Sequence, residues 1–98
     1  MPVIKAKVLF SPGQLVATPG ALHVLHHLDI LQVLGWHTTG AWEEMEPQDR
    51  AANEKALEDG SRIFSSFDVK GQKIWVITEA VNDGGNRVST CILLPEDY

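Results

Sequence analysis

Residues 62–94 read RIFSSFDVKGQKIWVITEAVNDGGNRVSTCILL, and the fold turns on how this stretch divides. Three apolar runs, Ile63–Phe67, Lys73–Thr78 and Val88–Leu94, are rich in Val, Ile, Phe, Trp and Thr, and Gly, Asn or Asp separates them. Short β-branched and aromatic runs between turn residues predict strands. Val69–Lys70–Gly71–Gln72 predicts a tight reversal and Asn82–Asp83–Gly84–Gly85–Asn86 a looser hairpin loop. The looser loop has calcium-friendly residue types but lacks the spaced carboxylates and closing glutamate of a calcium site, so it reads as a turn. Strand alternation sets Ile74, Val76 and Thr78 against Trp75, Ile77 and Glu79, and Val88, Thr90, Ile92 and Leu94 against Ser89, Cys91 and Leu93. Both faces are partly apolar. One is expected to be covered by helices and part of the other by a second copy of the chain, with Trp75 or Leu93 near that contact.

The helices are expected upstream, within residues 18–59. Thr18 before Pro19 and Gly20 is a helix start: the hydroxyl can cap orphan backbone donors, and proline at the first helical position gives up no needed bond. Ala21, Val24, Leu25 and Leu28 then share one face at helical spacing and are expected in the core. Asp29 followed by Gln32 is a second capping signal, so a short break and a helix Ile30–Trp36 are predicted, with one long kinked helix as the alternative, and Gly35, Thr38, Thr39 and Gly40 end the element. A third helix runs from Pro47 to Asp59, with Gly60 as its stop. Its inner face is expected to be Ala51, Ala52, Ala56 and Leu57, with Trp42 and Met45 folding over its start. Nearer the beginning, Val3, Lys5 and Lys7 alternate with Ile4, Ala6 and Val8, which predicts an edge strand Val3–Phe10 with its lysines outward. Gln14–Ala17 is a second short extended stretch. The expected architecture is an α+β domain, N-terminal helices packed on a C-terminal three-stranded antiparallel meander, with residues 1–98 as a single domain.

The chain has 98 residues, of which 44% are hydrophobic and 21% charged, enough for one core without disulfide or metal. Its apolar runs are too short to cross a bilayer, and Met1–Val8 has no basic start followed by an apolar core, so a cytoplasmic protein without membrane contact is expected. Cys91 lies in a predicted strand and is read as a small packed hydrophobe.

A resemblance rests on residues 13–22 (GQLVATPGAL), on Asp49, Asn53, Leu57, Gly60 and Arg62 at their spacings, on residues 74–80 (IWVITEA), and on Thr90 with residues 93–98 (LLPEDY). Together they resemble a family of small bacterial proteins of plasmids and integrative elements, usually labelled plasmid-related. The resemblance covers most of the chain after Phe10 and implies a mobile-element context. It carries no activity, ligand or catalytic residue. The chain departs from the pattern in a longer Val81–Asn86 loop and a more apolar Leu28–Leu34 region.

Eight basic and thirteen acidic residues give a net charge of −5. Scattered bases on an acidic chain disfavour direct nucleic-acid binding, which needs a basic stripe to displace counterions. Seven of the acids (Glu43, Glu44, Glu46, Asp49, Glu54, Glu58, Asp59) and two bases fall within Glu43–Asp59, so one segment carries the whole excess. Such a field can steer a basic partner. The expected function is therefore a non-enzymatic accessory protein that binds an unidentified protein through this acidic helical face, with counter-defence as the context the resemblance adds. The alternative is a small-ligand or catalytic site formed by Arg62, Glu79 and Arg87 on the sheet, although Arg62 and Glu79 also suit an ordinary cross-strand ion pair. His23, His26 and His27 cluster on one predicted helix, and His23 and His27 are four apart. Two imidazoles without a third ligand do not make a metal site, so no cofactor is expected.

Overall fold

A computed structural model describes residues 2–98. In chain order it contains β1 (Gln14–Ala17), α1 (Pro19–Val24), α2 (His27–Thr38), α3 (Pro47–Asp59), β2 (Ile63–Val69), β3 (Gln72–Thr78) and β4 (Ser89–Leu93), then a 3-10 turn at Pro95–Asp97. The strand order is β1-β4-β3-β2. β2, β3 and β4 form the expected antiparallel meander, and Lys70 and Gly71, with φ of 53° and 78°, make the primed turn that matches strand twist. The sheet nevertheless has four strands and is mixed, because β1 adds in parallel to the free side of β4. The expected three-stranded meander is corrected accordingly: a four-residue strand has too little pattern to show its pairing, and its partner lies more than seventy residues away in sequence.

The inward face carries Ile63, Phe67, Val69, Ile74, Val76, Ile92 and Leu94, and these join Ala21, Leu25, Val33, Trp36, Ala41, Trp42, Met45 and Ala56 in one buried cluster. All three helices therefore cover the same side of the sheet. On the other side Ile77 and Leu93 are buried outside that cluster, beneath an aromatic run in which Phe64 meets Trp75 and Trp75 meets Tyr98, each edge-on. No helix among the described residues is long and apolar enough to cross a membrane.

Helix starts follow local chemistry. Thr18 Oγ1 accepts from Ala21 N–H at 3.1 Å and donates to Asp97 Oδ2 at 2.6 Å, so one hydroxyl caps α1 and ties it to the C-terminal turn. The break after α1 comes earlier than expected. His26, not Asp29, caps α2: its Nδ1 accepts from Leu28 N–H, while Asp29 Oδ2 accepts from His26 N–H. Breaking the helix there turns Val24 and Leu28 out to solvent, so only Ala21 and Leu25 of the expected core stripe are buried. α2 also passes through Gly35, where a Cβ would lie 2.6 Å from Ile4 Cδ1, so the absent side chain makes room for the N-terminal segment. That segment is not the expected strand. Residues 2–10 run irregularly along α2, held by Lys5 N–H on Thr39 Oγ1 and Leu9 N–H on the Thr38 carbonyl.

Thr18→Ala is expected to cost about 1 kcal/mol through the lost cap, and Leu25→Ala about 2–5 kcal/mol through an opened cavity. Urea denaturation of the two variants measures both, and equal near-zero effects would show that α1 is not packed as described.

Candidate functional site

The expected acidic face lies on and before α3. Two residues fix that helix to the sheet through polar bonds. Asn53 is buried, accepting from Phe64 N–H at 3.0 Å and donating to the Phe64 carbonyl at 2.6 Å, so its amide plugs the outer edge of β2 as a neighbouring strand would. Arg87 donates to the carbonyls of Ala56 (3.0 Å), Ser61 (2.7 Å) and Glu79 (3.0 Å), closing the last turn of α3 against the start of β2 and the end of β3. Only Ala56 and half-buried Leu57 supply the apolar contact expected from four residues. Ala51 and Ala52 are exposed instead, because Asn53 turns the helix by its own bonds.

Around this thin attachment the acids take different positions. Glu54 and Glu58 are exposed on the helix. Glu43 pairs with Lys5, whose ammonium holds its carboxyl below the usual range. Asp59 accepts from the Ser61 amide and hydroxyl, which lowers its pKa and spends it on the turn after the helix. Glu44, Glu46 and Asp49 line a cleft of about 150 Å³ whose far wall is Ser66, Asp68 and Lys73 of the β2–β3 hairpin.

The alternative trio separates. Arg62 Nη2 and Glu79 Oε1 approach to 3.5 Å on the outer face, and Arg62 Nη1 lies 3.4 Å from Tyr98 Oη. With Ile77, Cys91 and Leu93 they line a hollow of about 210 Å³, where burial pushes the Cys91 thiol up from its ordinary pKa. Arg87 does not join them, since its donors are held by the three carbonyls. The three histidines do not share one face: His23 ends α1 and is set off by the break between helices, while His26, which caps α2, stays beside His27 with ring centroids 4.1 Å apart. Among the described residues no three metal-ligating side chains come together. The Asn82–Asn86 loop is the expected turn, closed by Asn82 Oδ1 accepting from Gly84 and Asn86 N–H.

A buried group outside the expected sites is His37, which is fully enclosed. Its Nδ1 lies 2.6 Å from Ser65 Oγ and its Nε2 2.7 Å from Thr78 Oγ1; Thr78 Oγ1 is 2.6 Å from Thr90 Oγ1, which is 2.7 Å from the Pro12 carbonyl. The donor order follows from the far end. A carbonyl only accepts, so Thr90 donates to Pro12, Thr78 donates to Thr90, and His37 must donate from Nε2 to Thr78, leaving Nδ1 to accept from Ser65. In the neutral ring this fixes one tautomer, with the proton on Nε2. Burial, with the Arg87 charge adding to it, pushes its pKa down to about 3. Sequence offered little signal for this, because Trp36–His37–Thr38–Thr39 reads only as a helix end. Thr78 and Thr90 on the inward face of otherwise apolar strands were the available clue.

Comparison with protein-family models, with curated proteins and with solved structures finds no match to this chain.

The His37 pKa gives a pH dependence whose sign is fixed. Above pH 6.5 the ring is neutral folded or unfolded and adds no slope. As pH falls from 6.5 toward about 3, the unfolded chain takes up a proton that the folded one refuses, so stability is lost over that window. The loss is about 1.4 kcal/mol per pH unit. Urea unfolding at pH 6.5 and about 5 should show this slope in the wild type and its absence in His37→Gln; equal slopes would mean that His37 is not held neutral.

Proposed function

We propose that this chain is a non-enzymatic accessory protein that binds a basic surface of another protein through the acidic face of Glu43–Asp59. The observation that supports it most is how α3 is held. Its attachment uses Asn53, Ala56, Leu57 and the terminal carbonyl bound by Arg87, none of them acidic, so the exposed acids Glu54 and Glu58 are left on the solvent side of the helix. Glu54 and Glu58 lie beside exposed Ala51, whose small side chain lets another backbone come close. A surface of this kind raises association rate and selects partner sign more than it adds affinity. The resemblance to plasmid and integrative-element proteins supports a mobile-element setting in the bacterial cytoplasm, where a basic partner whose own ligand is nucleic acid would make this counter-defence.

A second reading keeps the outer-face hollow as a small-ligand or catalytic site, reduced to Arg62 and Glu79 with Tyr98 beside them. An ion pair at the rim of an apolar floor favours it. Its volume of about 210 Å³ lies below the usual range for ligand pockets, roughly 300–1,000 Å³, which places this reading second.

Reversal of both exposed acids, Glu54→Lys with Glu58→Lys, should leave the denaturation midpoint nearly unchanged, since neither side chain is in the core. It should slow association with a protein captured from the bacterial host and weaken the salt dependence of that rate. A captured partner that binds the double variant as fast as wild type at low and high salt would place the interface elsewhere.

A further inference from the structure

The two edges of the sheet are treated differently. On β2 the Asn53 amide occupies the outward N–H and carbonyl of Phe64, Asp68 is paired to Lys73 at 3.2 Å, and Lys70 follows the last strand residue, Val69, so the edge is plugged at one point and charged beyond it. On β1 nothing comparable is present. Its sequence is Gln-Leu-Val-Ala, with no charge, proline or bulge to discourage pairing. Its first three residues are exposed, with Leu15 at 39% and Val16 at 41%, and neighbouring Val88 is 59% exposed.

The parallel register states which backbone groups are bare. Gln14 N–H is bonded to the Val88 carbonyl and Thr18 N–H to the Ile92 carbonyl, so the alternate residues Gln14, Val16 and Thr18 face β4. Leu15 and Ala17 therefore point their N–H and carbonyl groups away from the sheet. Two donors and two acceptors stand in a row on an uncharged strand.

We propose that a second copy of the chain pairs antiparallel along β1, about a two-fold axis through Val16, to make one continuous eight-stranded sheet. This register follows from the bare groups. With Val16 opposite Val16, Leu15 of each copy faces Ala17 of the other, and each such pair exchanges two N–H to carbonyl bonds, so every outward group on the strand is satisfied. One residue of slip in either direction sets Leu15 and Ala17 opposite residues whose N–H and carbonyl point back toward β4, so the outward groups lose their partners. The valines meet as a non-bonded pair, with Cα atoms about 4.5 Å apart and side chains in contact. The contact is short, so it belongs with weak interfaces of micromolar affinity.

Sedimentation equilibrium of the full chain should give a concentration-dependent dimer. Val16→Lys sets two ammonium groups opposite each other, and it should weaken that dimer by roughly tenfold or more while circular dichroism shows a native fold. Val16→Cys is the register-specific readout. It is made with Cys91→Ser, because Val16 and Cys91 are neighbours in the sheet and would otherwise cross-link within one chain. Mild oxidation should then give a disulfide-linked dimer, since the expected Cα spacing of about 4.5 Å lies inside the disulfide range. A wild-type chain that is monomeric at high micromolar concentration overturns the proposal. So does a dimer whose Val16→Cys, Cys91→Ser variant stays uncross-linked, and so does one that survives Val16→Lys but is broken by Trp75→Lys, which would put the contact on the outer face.

Discussion

The arrangement of the chain depends on a single line of hydrogen bonds through its interior. His37 on α2, Ser65 on β2, Thr78 on β3, Thr90 on β4 and the Pro12 carbonyl before β1 are joined end to end. Each step has only one donor direction, so all of its members are satisfied together. A rotation of α2 by one residue, or a slip of any of these strands, would strand an imidazole or a hydroxyl in an apolar core. Each such orphan costs about 1–3 kcal/mol, which is large against the stability of a small domain. The apolar cluster around it would tolerate several packings. The polar line selects one, fixing helix rotation and strand register at once. Phe10 extends the constraint outward, edge-on to the His37 ring at 5.2 Å with the Arg87 guanidinium 5.8 Å from its own ring centre.

Arg87 and Asn53 resolve a related problem in α3. A helix with one fully buried alanine and one half-buried leucine facing the sheet buries too little apolar area to dock firmly. Two side chains compensate with polar bonds across the junction: Asn53 satisfies the outward N–H and carbonyl of Phe64 on β2, and Arg87 adds a second donor to the Ala56 carbonyl, which the Gly60 N–H already meets, while binding the Ser61 and Glu79 carbonyls. Polar anchoring frees the composition of the remaining helix surface. That surface can then be acidic, small or apolar as a partner requires, with little consequence for folding.

Much of this was legible where a local rule and the tertiary environment agree. The meander followed from apolar alternation and the Lys70–Gly71 turn, α3 from Pro47 and Gly60, and the start of α1 from Thr18–Pro19. Reading failed where a long-range contact overrode the pattern. Val3–Val8 alternates as a strand would, yet it lies along α2 because Gly35 leaves a seat for Ile4. Ala51 and Ala52 look like an inner face until the Asn53 amide is seen to choose the rotation. Gln14–Ala17 reads as extended, but no property of four residues says that it pairs parallel with a strand near the other end of the chain. At the site, the acids and their concentration were visible in composition alone. The engagement of Arg87 with three carbonyls was not, because a lone arginine before a strand looks the same whether it binds a ligand or a backbone.

Topology also decides how the surfaces relate to one another. The connection from β1 to β2 carries all three helices across one side of the sheet, from one edge to the other, so α1 packs on β4 beside β1 while α3 packs on β2 at the far edge. The two edges are therefore separated by the width of four strands, about 14 Å between β1 and β2 at the usual spacing. Pairing of two copies through β1 would leave both α3 helices unobstructed at the distal ends of the joined sheet. A partner with two basic patches at a matching separation would then be held at two points, and the second contact would form at high effective concentration. Individually weak electrostatic contacts of the kind an exposed acidic helix makes gain most from such an arrangement, because avidity multiplies affinity without burying any additional charge.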